Sequence, residues 1–78
     1  DAASLRFSLA REEAVDLAVF DVRGRQVRSL VRETVPAGTR VVSWAGVDAG
    51  GRPAPPGVYF ARLKAGSQER RLKLVKTD

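Results

Sequence analysis

Apolar and polar residues alternate along SLRFSL (4–9), placing Leu5, Phe7 and Leu9 on one face of an extended chain and Arg6 and Ser8 on the other. The pattern predicts a half-buried strand. A second run, AVDLAVFD (14–21), sets Val15, Leu17 and Val19 on a core face, while its opposite face carries Ala18 and Phe20. Glu12 and Glu13 stand before this run as they would in a first helical turn. Its β-branched content and the turn that follows at Gly24 favour a strand instead. In that turn, DVRG, Asp21 can bond to the backbone ahead of it and Gly24 can take positive φ.

The return run RQVRSLVR (25–32) has Val27, Leu30 and Val31 out of strict alternation, which predicts a β-bulge near Arg28 or Ser29. Pro36 and Gly38 mark the next turn. RVVSWAG then puts Val42 and Trp44 on one face, and GVYFARLKA (57–65) and QERRLKLVK (68–76) flank a tight hairpin at Ala65-Gly66-Ser67. Six strands joined by local turns predict an all-β, antiparallel β-sandwich of about six to seven short strands. One domain spans 1–78, with no internal repeat and Greek-key crossings at the longer loops.

Between the fourth and fifth strands the pattern breaks into WAGVDAGGRPAPPGVY, with four glycines and three prolines in sixteen residues. Trp44 is expected to end a strand in the core. Asp48, Gly50 and Gly51 turn the chain where bulky side chains would clash, and Pro53 to Pro56 keep it extended and blunt an edge. Gly57 releases it into a strand with Tyr59, Ala61 and Leu63 facing inward and Val58, Phe60, Arg62 and Lys64 outward.

Taken in order, LRFSL, VDLAVFDVRGRQVRSL, AGTRVVSWAGVDAGGRPAPPGVYFARL and RRLKLVK resemble the Ig-like domain named after the flagellar hook-capping protein FlgD. The resemblance covers nearly the whole chain. The DxxGRxV turn, the GVY strand and the final basic-apolar strand are also similar to the C-terminal sorting domains of the type IX secretion system. Two features depart from the pattern: no Pro-Asn-Pro-like segment precedes LRFSL, and Ala45 and Val47 stand where relatives carry polar residues. The resemblance implies a C-terminal module of a larger secreted or surface bacterial protein, with its signal upstream of Asp1.

Composition narrows the chemistry. Hydrophobic residues at 44% and charged residues at 29% are those of a folded domain. No apolar run approaches the ~18 residues that would cross a bilayer, so no membrane insertion is expected. The absence of cysteine leaves so small a core without a disulfide. With histidine absent as well, the usual general base, the thiol nucleophile and most zinc chemistry drop out together. The nine carboxylates show no pairing that demands a shared site. DAGGR offers a single carboxylate to a calcium ion, so turn formation is its simpler use. GxGxxG and the Walker pattern are both missing. No catalytic activity, metal or cofactor is expected.

A net charge of +5 raises the question of an anionic partner, but the basic residues are spread along the chain rather than gathered in one tract. Nucleic acid is accordingly disfavoured. Protein contact is the preferred use of the surface, with two candidates. Phe20, Val58 and Phe60, with Arg62 and Lys64, would form an apolar patch rimmed by charge that docks on a parent domain or partner, or on another copy. As the likeness to sorting domains implies, Arg70, Arg71, Lys73 and Lys76 on the closing strand would serve as a sorting signal read by export machinery. A sorting tag, anchor or spacer is the first expectation; an assembly domain like that of the hook cap is the alternative, and a binding module for an anionic polymer, DNA or acidic glycan, ranks third.

Overall fold

The computed structural model describes residues 3–77. Its six strands are β1 (Ala3–Leu9), β2 (Glu13–Asp21), β3 (Gln26–Val35), β4 (Gly38–Trp44), β5 (Gly57–Ala65) and β6 (Gln68–Lys76). All pairings are antiparallel, in a two-stranded sheet β1-β4 and a four-stranded sheet in the order β3-β2-β5-β6. The chain therefore changes sheet three times, after β1, β3 and β4, which makes it the expected Ig-like sandwich.

β2 lies in the middle of the large sheet, paired with β3 and β5. Its burial explains why strand wins over helix at Glu13–Asp21: Val15, Leu17 and Val19 point into the core at period two. Ala18, on the opposite face, is also closed off, at 1% exposure. Its neighbours in register are Ser29 and the long side chain of Arg62.

The irregular run in β3 contains two register shifts rather than one. Leu17 stands opposite Val31 but Ala18 opposite Ser29, so Leu30 is extra. Val19 stands opposite Arg28 but Phe20 opposite Gln26, so Val27 is extra. These positions lie one residue to either side of the expected bulge. Both extra residues are partly buried against the core, so the bulges turn inward two apolar side chains that strict alternation would expose.

The core has two lobes. Leu5, Phe7, Val15, Leu17, Val31, Val35 and Ala61 form one, and Val19, Trp44, Ala54 and Tyr59 the other. Two strands cannot cover four, and the shortfall falls on β6. Leu72 stands opposite buried Ala61, yet it is 55% exposed. Leu17→Ala should therefore cost about 3 kcal/mol, while Leu72→Ala should cost less than about 1 kcal/mol. Urea unfolding of the two variants measures both, and equal losses would show β6 to be covered.

Candidate protein interface

Register places Val58, Phe60, Arg62 and Lys64 of β5 on the outer face of the large sheet, as the sequence predicts, beside Phe20 of β2. Phe20 and Phe60 stand directly opposite one another. The Arg62 guanidinium lies 4.5 Å from the centroid of the Phe20 ring, a cation–π contact. Phe20, Val58 and Phe60 are all half-buried. One face of Phe20 is thus closed to a stacking base, whereas the apolar edge of the patch remains open. Phe20, Phe60, Arg62 and Arg71 line a shallow hollow of about 300 Å³ together with the β2–β3 turn.

Two residues of this surface were missed in the sequence. Val75, opposite Val58, is 65% exposed, and Val22, on the adjoining turn, is 68% exposed. The signal for Val75 was available, because outward positions of β5 oblige every second residue of β6 to face the same way. Val22 sits in a turn, where periodicity says nothing.

The four basic residues of the closing strand do not form one face. Arg71 and Lys73 stand opposite Arg62 and Phe60 on the outer side, whereas Arg70 and Lys76 stand opposite Leu63 and Gly57 on the inner side. Arg71 also pairs with Glu69 at 3.2 Å. Among the described residues β6 is an edge strand, with its backbone open to pairing on one side.

The glycine-proline stretch is more than a crossing. The Trp44 and Tyr59 rings meet edge to face with centroids 5.2 Å apart. Trp44 Nε1 donates to the Val47 carbonyl at 2.8 Å, and the Tyr59 hydroxyl donates to the Pro55 carbonyl. Ala54 is buried with them, its N–H donating to the Gly46 carbonyl at 2.8 Å. Pro53 makes an isolated bridge to Val47, and Pro56 is exposed. The stretch therefore supplies one wall of the core.

Within it, DAGGR repeats the geometry of DVRGR, a local repeat that composition concealed. Asp48 Oδ1 accepts from the N–H groups of Gly50 at 2.9 Å and Arg52 at 3.0 Å; Asp21 Oδ1 accepts from Arg23 and Arg25, both at 2.9 Å. Gly51 and Gly24 follow with φ of 82° and 83°. In each turn the closing arginine returns to the carboxylate, Arg52 at 3.9 Å and Arg25 at 3.5 Å. Arg28 ties the second turn to β3 by donating to the Asp48 carbonyl at 2.8 Å.

The expectation of steric crowding at Gly50 and Gly51 is corrected here. A Cβ on Gly51 would meet nothing within 4 Å, and one on Gly50 would make only ordinary contacts, the nearest at 3.5 Å. Backbone conformation at Gly51 is what excludes side chains. Both carboxyls are held below the ordinary 3.8, chiefly by the backbone N–H of Arg25 for Asp21 and that of Arg52 for Asp48, against an opposing effect of desolvation. The Asp48 carboxylate is engaged in building its turn. Among the described residues no three acidic, histidine or cysteine side chains gather as a metal group would need.

Six antiparallel strands in two sheets, with DxxGR turns at one end, define an Ig-like β-sandwich. The chain belongs to the FlgD Ig-like domain family, whose model matches residues 1–69. It is similar to the crystal structure of FlgD from P. aeruginosa, at 25% identity and a TM-score of 0.72, over 94% of this chain and 59% of that one. The chain thus spans less than two thirds of that protein. No curated protein matches it significantly. The hook-cap side of the expected resemblance holds, while the grouping with type IX sorting domains finds no support. The family match ends before Arg70, Arg71, Lys73 and Lys76.

Two outcomes follow from the turns. Gly51→Ala should cost about 1–2 kcal/mol through its positive φ, and Gly50→Ala close to nothing, as read by thermal unfolding. Because folding depresses both carboxyls, their contribution is present above pH 3.8 and is lost as pH falls through the lower folded values. Replacing Asp21 and Asp48 by asparagine should flatten the decline of stability below about pH 4. An unchanged acid slope would show that the two carboxyls do not contribute to it.

Proposed function

We propose that this chain is a non-catalytic structural module that takes part in protein assembly, docking on a neighbouring domain or subunit through the outer face of its four-stranded sheet. Family membership supports the structural role, and no catalytic family is indicated. The observation that carries the docking reading is the apolar strip of Val58, Val75, Phe60 and Phe20, continued by Val22 and left partly open. Lys64, Arg71 and Lys73 rim it, an apolar centre within a charged border that suits a protein contact. Acidic groups on the opposing surface would complement the border. A flagellar or other surface-associated setting agrees with the likeness to FlgD.

Val75→Glu and Val22→Glu alter exposed side chains, so each should leave the unfolding midpoint of the domain nearly unchanged. Together, in the full-length parent, they should weaken its assembly by tenfold or more, about 1.4 kcal/mol, measured by sedimentation. Assembly at undiminished affinity would overturn this reading.

A further inference from the structure

β1 is paired with β4 along one edge, and among the described residues its other edge has no strand beside it. Next to that free edge runs a groove of about 390 Å³, walled on one side by Leu5, Phe7 and Leu9 and on the other by Leu63, Ala65 and Leu72. Leu72 shows what is missing. Its position opposite Ala61 belongs to the inner face, and it lies in the groove with more than half its surface uncovered.

We propose that the groove receives an extended segment of another protein, in which apolar and acidic residues alternate, as a third strand alongside β1. An edge strand presents N–H and C=O groups at alternate residues, so a guest gains its ladder from backbone alone. The period of two then sends every second guest side chain onto Leu72 and its neighbours and the others toward the rim.

The charge of the rim decides between occupants. Arg6 of β1 and Arg70 and Arg71 of β6 line the groove, and no carboxylate does. Neither Arg6 nor Arg70 has an ion-pair partner among the described residues, unlike Arg71, which is held by Glu69. A second copy would bring another chain of net charge +5 against this rim, an arrangement opposed by like-charge repulsion. An acidic guest neutralises it. The seven residues of β1 set the length of segment that would pair. This surface lies on the opposite side of β6 from the outer-face strip and does not depend on the role given to that strip.

The test is a titration of the isotope-labelled chain with a capped peptide of about seven residues alternating glutamate with leucine and valine, followed by NMR. The outward amides of β1 should exchange more slowly, with shifts confined to β1, β5 and β6. The same peptide with lysine for glutamate should bind at least about tenfold more weakly. Methylating the guest amides that face β1 should abolish binding. Arg6→Glu combined with Arg70→Glu changes two exposed side chains and should reverse the preference, with the Trp44 and Tyr59 signals reporting an intact fold. Equal affinity for both peptides, shifts on the outer face, or no binding at millimolar peptide would overturn the proposal. So would β1 amides already protected in the chain alone, which would show the edge covered by a second copy.

Discussion

The contact between Trp44 and Tyr59 holds the two layers in relation to each other. One ring closes β4 in the small sheet and the other opens β5 in the large sheet, and they meet edge to face over Val19, the most deeply buried side chain of β2. Everything between them must loop out and return within the 5.2 Å that separates their centroids. That constraint explains why the intervening chain is built of tight hydrogen-bonded pieces instead of a free linker. Each ring also carries a polar handle that must be satisfied on burial. The loop supplies both acceptors, Val47 to Trp44 and Pro55 to Tyr59.

The two DxxGR turns extend the same economy to one end of the sandwich. An aspartate that accepts from the N–H groups two and four residues ahead holds a five-residue loop with little help from packing, and a glycine at positive φ closes it. In a chain without disulfides, such self-contained turns reduce the number of loop residues that the core must order. Arg28 then joins the second turn to the bulged part of β3. The bulges, the crossing loop and the upper lobe of the core are thereby linked into one unit.

Strand periodicity made the framework legible. Inward and outward positions of β5 follow from alternation alone, and the outward set of β2 and β5 meets in space because pairing brings Phe20 opposite Phe60. What periodicity could not convey were features that depend on three-dimensional neighbours. Ala54 reads as loop filler, yet it is core because the loop folds back over Trp44. The two bulges at Val27 and Leu30 merge into one irregularity when only β3 is considered, since each shift is defined by its partner on β2. The likeness of DAGGR to DVRGR is visible only in three shared letters, whereas the hydrogen bonds make the two turns equivalent. The scattering of Arg70, Arg71, Lys73 and Lys76 over two faces follows from the same alternation that was used correctly for β5.

The unequal layers link the stability of this domain to its capacity for contact. With a core this small, every uncovered apolar residue is lost stabilisation. Leu72 and Val75, on opposite faces of β6, are nonetheless both left more than half exposed. Among the described residues β6 pairs with β5 alone and turns Leu74 against the core, so it is the strand whose apolar surface the fold itself does least to bury. A partner covering either face would add burial that the chain cannot provide internally, and binding to the folded state alone raises its stability by mass action. Charge separates the two faces. The inner groove is lined by arginine without a carboxylate, whereas on the outer face Arg62 is drawn onto Phe20 and Arg71 onto Glu69. On the two proposals made above, the inner groove would discriminate chiefly by charge, and the outer face by its apolar strip together with the cationic border of Lys64, Arg71 and Lys73.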